Sequence, residues 1–284
     1  MVELKNEKIA IPIVLFAGLL WSFGPLVVRY MDQPGLVPWQ YIFARGLTIF
    51  ILLNLYLYFE EGLNFYKNYL RAGVSGLIGG CGLGIAMVTF IYSITNTTAA
   101  VTLLCLAAMP FFTALLGFLF LKEKVSINVW IAIIIATIGI IIIAFGNTEK
   151  NSLIGLIFGM TSSIGFSVFS VSLRWRKETP KFTTVAIAGL FCVFIAAIFI
   201  IISKSSFLST SYNGSLFSLH GTIVCMGLIL YSIGSKAIPA AELTLLSLTE
   251  VIGGIFWVWL PLFGINEVPS TNTIIGGFFL FMSI

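Results

Sequence analysis

Residues 92–124, YSITNTTAAVTLLCLAAMPFFTALLGFLFLKEK, return in weaker form as residues 231–267, YSIGSKAIPAAELTLLSLTEVIGGIFWVWLPLFGINE, at a spacing of about 141, half of the 284-residue chain. Two copies of one unit are expected, residues 1–147 and residues 148–284. Each copy reads as five apolar helices. An odd number of crossings makes the second copy enter a bilayer upside down relative to the first. Inverted repeats of this kind build secondary transporters, with one binding site at the repeat interface near mid-bilayer.

Composition agrees with a chain dissolved in lipid. Hydrophobic residues make up 59% and charged residues 9%, against roughly 25% charged residues in a soluble domain. With about 20 apolar residues needed per crossing, the length accommodates ten crossings joined by short connections and leaves no room for a cytosolic catalytic module. The expected fold class is therefore all-α integral membrane, with ten transmembrane helices as two inverted five-helix repeats. The N-terminal MVELKNEK runs into an apolar stretch that continues to about Arg29. That stretch is too long for a signal-peptide core and reads as the first span. The tenth span has only about 14 residues, roughly 21 Å at 1.5 Å per residue, so it is either short or cut.

Net charge is +4, but its distribution is the informative part. Spans are read at roughly 9–29, 36–59, 70–94, 98–121, 126–146, 152–174, 182–203, 217–235, 240–263 and 271–284. One side then collects Lys5, Lys8, Lys67, Arg71, Lys122, Lys124, Arg174, Arg176, Lys177, Lys181 and Lys236, and the other only Arg29, Lys150 and Lys204. By the positive-inside rule both termini face the cytoplasm of an inner-membrane protein. The bases belong to membrane topology, and no nucleic-acid partner is expected.

Motifs for soluble chemistry are missing. There is no GxxxxGK[ST], HExxH or GxSxG, so neither ATP-driven pumping nor an enzyme is supported. Cys81, Cys105, Cys192 and Cys225 all lie in apolar stretches without CxxC spacing and beside a single histidine, His220. They read as packed thiols, with no metal and no cofactor. His220 reads as an interfacial residue.

Ionisable groups inside spans are costly, by about 2.5–3.5 kcal/mol on insertion scales, and so mark candidate sites. They are Arg45 in the second span and Glu242 and Glu250 in the ninth. Glu250 lies near mid-depth and shares helix faces with Ser247, Gly253, Gly254 and Trp257. It either binds substrate or a proton, or locks two helices together. Glu242 suits a helix N-terminus, which attracts negative charge. Arg45 could pair with an acid, snorkel, or meet a substrate carboxylate.

Ser163, Ser167 and Ser170 form a polar stripe on the sixth span, and Trp21 is a tryptophan at mid-depth in the first. Tyr92, Asn96 and Tyr231 are weaker candidates; Trp39 and Trp175 read as interfacial anchors. Gly76, Gly80 and Gly84 recur every four residues in the third span, a spacing that lets helix backbones approach. Pro25, Pro110 and Pro261 each remove a backbone donor and can kink a span.

The stretch PAAELTLLSLTEV (Pro239 to Val251), the tryptophan-rich helix after it, Glu267, AAVTLLCLAAMPFF and Lys122-Glu123-Lys124 together resemble the EamA-type branch of the drug/metabolite transporter superfamily. The resemblance covers essentially the whole chain. It implies ten helices in inverted repeats, a central cavity bordered by both halves, and movement of amino acids, amines or other small metabolites. By the same resemblance Glu250 is the acid of the ninth helix and Glu123 the acid ending the fourth. Met109-Pro110 and Glu250-Val251 depart from a symmetric acid-proline pair, which leaves Glu250 as the only deep carboxylate.

The expectation is a secondary transporter of a small polar metabolite, an amino acid or related amine, working by alternating access. Substrate contacts are expected from Trp21, Tyr92, Ser163, Ser167, Glu250 and Trp257. Protons are the candidate coupling ion, through Glu250. An uncoupled facilitator or exporter of a neutral metabolite, with Glu250 structural, is the alternative. Substrate, direction and oligomeric state are not encoded in any motif.

Overall fold

Residues 7–97, 99–146, 153–176, 178–265, 268 and 271–283 are described by a computed structural model of the chain. Lipid offers no partner for backbone N–H and C=O groups, so apolar spans must satisfy them internally as helix. Every regular element among the described residues is helical. In chain order the α-helices are α1 (Glu7–Trp21), α2 (Phe23–Tyr30), α3 (Pro38–Glu61), α4 (Lys67–Asn96), α5 (Ala99–Leu106), α6 (Met109–Leu116) and α7 (Ile127–Gly146). They continue as α8 (Leu153–Trp175), α9 (Lys181–Ile202), α10 (Ser211–Gly234), α11 (Ala240–Leu246), α12 (Thr249–Trp259) and α13 (Thr271–Ser283).

Among the described residues, seven helical stretches are long and apolar enough to cross a membrane: Glu7–Tyr30, Pro38–Asn96, Val101–Leu121, Ile154–Trp175, Lys181–Ile202, Ser211–Gly234 and Ala240–Trp259. Ile127–Gly139 and Ile274–Ser283 are apolar but shorter. Pro38–Asn96 contains both α3 and α4, which turn over a 3₁₀ segment opening at Gly62 with φ 60°. That left-handed backbone suits glycine. The expected boundary at residues 147/148 and the second-half acid Glu267 lie outside the described residues.

Three expected spans are interrupted, each for a local reason. Pro25 has no N–H for the carbonyl of Trp21, and the helix breaks between α1 and α2 at Ser22. Pro110 likewise cannot donate to Leu106, where α5 ends before α6 begins at Met109. No proline separates α11 from α12. There the Ser247 hydroxyl donates to the carbonyl of Thr244 at 2.7 Å and that of Thr249 to Leu246 at 3.1 Å, competing with the helical ladder. Pro261, expected as a kink, instead lies beyond the end of α12, which stops at Trp259.

Neighbouring helices cover two of the breaks. Ser163 and Ser167 on α8 donate to the carbonyls of Cys105 and Met109, the latter at 3.1 Å. Thr249 donates to Leu15 of α1 at 3.3 Å. Glycines permit the approach: a Cβ on Gly159 would lie 2.7 Å from the Cβ of Cys105, and one on Gly18 only 1.9 Å from the Thr249 hydroxyl. Gly18 and Gly159 are 141 residues apart.

The strongest packing runs between residues from opposite sides of the chain midpoint: α4 on α8 and α9, α3 on α9 and α10, α1 on α10, and α7 on α13. The stripe Gly76, Gly80 and Gly84 faces Thr184, Ile187 and Phe191 of α9, while Gly79 and Gly82 face α8. Helix ends gather in two groups. In one, Arg174 donates from Nε to Glu123 at 2.6 Å and from Nη1 to the carbonyls of Ser235 and Ile238 at 2.8 and 2.6 Å. Glu123 also accepts from the Ala240 N–H at 3.2 Å, and Lys236 donates to Leu173. In the other, Tyr30 donates to Phe263, Tyr212 to Tyr30, and Gln40 to Ser206, while Asn213 and Asp32 exchange hydrogen bonds. These are the ends that the charge count assigns to the basic and the poorly charged side respectively.

Candidate functional site

Where α1, α3, α4, α8 and α10 meet the breaks of α5–α6 and α11–α12, they enclose a cavity with about 520 Å³ of atom-free space, mouth included. Most of its wall is apolar: Leu83, Met87 and Phe90 of α4, Leu106 and Met109 at the first break, Phe166 of α8, and Val224 and Leu228 of α10. Polar groups enter from Trp21, Arg45, Ser162, His220 and Glu250.

Trp21 and Ser162 are already engaged by protein. The Trp21 indole N–H donates to the Val224 carbonyl at 3.2 Å, with its ring against Phe166 and Tyr231 at 5.6 and 5.5 Å. Ser162 donates to the Ala86 carbonyl at 2.9 Å. Arg45 is different. Its side chain is buried, Nε and Nη1 have no hydrogen-bond partner, and the guanidinium carbon stands 5.7 Å from the centre of the Phe90 ring. A buried guanidinium with unmet donors is expensive unless something fills its fork.

Glu250 is the complement. It lies in the first turn of α12, ten residues beyond Ala240. Ten residues of helix rise about 15 Å, half of a roughly 30 Å hydrocarbon core. Each of Arg45 and Glu250 feels the other's charge, yet among the described residues no ion pair joins them. The cavity thus presents a guanidinium and a carboxyl group, fixed on separate helices, in an apolar box.

Residues 8–145 match the model of the EamA-like transporter family. Over that stretch, just under half of its length, the chain is similar to EamA-like transporters. It is 28% identical over 204 residues to an uncharacterized transporter of Helicobacter pylori strain J99, an alignment covering 69% of this chain and 64% of that protein. A second Helicobacter pylori strain has an uncharacterized transporter 24% identical over 254 residues, covering 84% and 80%. The uncharacterized transporter YdfC of Bacillus subtilis strain 168 is 26% identical over 207 residues, covering 69% and 65%. A solved crystal structure shares the fold, with a TM-score of 0.75 at 17% identity, over 98% of this chain and 96% of that one.

In this chain, Trp21, Arg45 and Glu250 meet at one cavity. Other expected contacts lie elsewhere. Ser163 and Ser167 serve the α5–α6 break, and Ser170 hydrogen-bonds the hydroxyl of Tyr231, which stands behind Trp21 and Phe166. Trp257 donates to Ser22 at 2.8 Å and stacks on Phe23 at 4.7 Å, packing α12 onto the α1–α2 break. Tyr92 joins a ring cluster with Trp39 and Phe158 near the poorly charged side, and exposed Asn96 bonds back to Tyr92. Glu242 lines a separate small cleft with Thr113, Glu123 and Lys124.

Sequence reasoning missed His220, Phe90 and Phe166. His220 is not interfacial: it is 2% exposed, lines the cavity, and pairs through Nδ1 with the hydroxyl of Tyr41. Tyr41 sits one turn before Arg45 on α3, 179 positions from His220. Only tertiary structure reveals that pairing. The i, i+4 spacing of Tyr41 and Arg45 was the one signal available.

Proposed function

We propose that this EamA-like transporter carries a small zwitterionic metabolite, an amino acid, across the cytoplasmic membrane by alternating access around the cavity at Arg45 and Glu250. One observation carries the reading. A guanidinium with unmet donors and a carboxylate face the same apolar space without pairing. A substrate carboxylate suits the planar fork of Arg45, an ammonium group suits Glu250, and the rings of Trp21, Phe90 and Phe166 surround the remainder. Neither an amine alone nor a neutral solute would answer both charges.

Ten crossings in two inverted units are part of this proposal. Counting α3 and α4 separately and adding the two shorter apolar helices gives ten. Gly18 and Gly159, 141 residues apart, each bring a helix onto the break of a helix from the other half. The positive-inside count places both termini in the cytoplasm, and Glu250 is the proposed proton-coupling residue.

The test is a thermal-shift screen of the purified full chain against the twenty common amino acids and their decarboxylated amines. A ligand at one hundred times its dissociation constant adds about 2.7 kcal/mol to the native state. Stabilisation by one or more amino acids, lost in Arg45→Gln, is expected. Stabilisation by amines alone would contradict the zwitterion assignment.

On this reading the Arg174–Glu123 pair is a latch on the basic side, because it ties the end of α8 to the link after α6 and to the turn before α11. Glu123→Gln keeps the shape and removes the charge. Its expected result is faster labelling of a cysteine placed at Met109, in a background with the native cysteines replaced by serine, by a membrane-impermeant maleimide from the basic side. An unchanged rate would show that the pair does not hold that side shut.

A further inference from the structure

We infer that His220 is a second donor to the substrate's carboxylate, beside Arg45, and that Tyr41 fixes the ring tautomer that makes it one. This deepens the central-cavity reading and rests on it. Among the described residues, the buried hydroxyl of Tyr41 has one hydrogen-bond partner, Nδ1 of His220. Two arrangements of that bond are possible. If Nδ1–H donated, the phenolic hydrogen would be left without an acceptor inside the protein, which costs a full desolvation penalty. If the phenol donates, Nδ1 accepts, and the neutral ring carries its proton on Nε2. Only the second arrangement satisfies both groups, so the hydrogen bond on one nitrogen sets the state of the other.

Nε2 is then a donor, and its surroundings keep it free. Among the described residues it has no protein partner. Its neighbour on α2 is Gly24, where an added Cβ would lie 2.8 Å from Nε2, so any larger residue would crowd this edge of the ring. His220 and Arg45 both line the cavity. Their helices are in direct contact, since a Cβ on Gly221 would lie 3.1 Å from the Arg45 carbonyl oxygen. Stacking of Tyr41 on Phe217, with ring centres 4.8 Å apart, holds the phenol in place. One charged fork and one neutral N–H, on residues that line a common apolar space, make a receptor for a carboxylate.

The consequence is selectivity for the acid end of the substrate. Binding of each amino acid that stabilises the wild-type protein is measured by calorimetry on purified full chain, alongside the carbon-matched amine that lacks the carboxylate. His220→Ala is expected to weaken the amino acid by roughly tenfold or more and to leave the amine within about threefold. His220→Gln restores a neutral N–H donor and is expected to recover most of the loss. Gly24→Ala crowds Nε2 without touching the Tyr41 bond and is expected to reproduce the selective loss, which keeps the test decisive if His220→Ala does not fold. Equal weakening of amino acid and amine, or wild-type affinity in both His220→Ala and Gly24→Ala, overturns the inference while leaving the cavity reading intact. Failure of every amino acid to bind the wild-type protein overturns the cavity reading and this inference with it.

Discussion

Glu250→Gln, reconstituted into liposomes, is expected to take up the bound amino acid roughly 10- to 100-fold more slowly than the wild-type protein and to lose any response to a proton gradient. Glutamine preserves size and can still accept a hydrogen bond. It cannot supply the negative charge that a substrate ammonium group exchanges for its lost hydration. A hydrogen bond to a charged group is worth about 1.5–3 kcal/mol, and the substitution also removes the carboxylate whose field Arg45 feels. On the proposed reading, a transition state that carries the substrate between the two sides needs both. The competing role for Glu250 is structural, because an acid in the first turn of α12 complements the helix dipole, a contribution of about 0.3–1 kcal/mol. Unchanged uptake with unchanged proton dependence would assign Glu250 to that role and make the protein an uncoupled facilitator.

Gly165→Val is expected to be the most destabilising single change at the interface between the halves. A Cβ on Gly165 would lie 2.6 Å from the Gly82 carbonyl oxygen and 3.0 Å from the Ala86 nitrogen, both backbone atoms of α4. No side chain can swing aside, so α8 must move off α4. Overpacking of this kind costs about 1–3 kcal/mol, sometimes more, which lowers Tm by roughly 2–5 °C for a chain of this size. The shift also moves Phe166 and Ser162 relative to Ala86 and Met87, all four on the cavity wall, so ligand stabilisation falls with it. Gly214→Ala provides the comparison, because a Cβ there meets nothing within 4 Å. Its Tm should match the wild-type value.

How much of this was readable in advance depends on the type of signal. Proline announces broken helices at Pro25 and Pro110 because a missing donor is a property of one residue. The α11–α12 break is made by the hydroxyls of Ser247 and Thr249, which equally well sit inside regular helix, and so it shows only in three dimensions. Arg45 and Glu250 stand out because ionisable groups in apolar spans are costly wherever the partner lies. The serine stripe on α8 is visible as polarity, but its task is not: Ser163 and Ser167 bond carbonyls that flank the Pro110 break. His220 has no neighbour in sequence to announce it. Its partner Tyr41 and the space at Gly24 come from α3 and α2.

The central claim, one cavity shared by two halves and opened in turn to each side, is tested most directly by labelling a cysteine at Met109 in right-side-out and inside-out vesicles. With the four native cysteines replaced by serine, membrane-impermeant maleimide should react from both sides, and the bound amino acid should slow both reactions. Labelling from one side only, or at rates that the amino acid does not change, would contradict it.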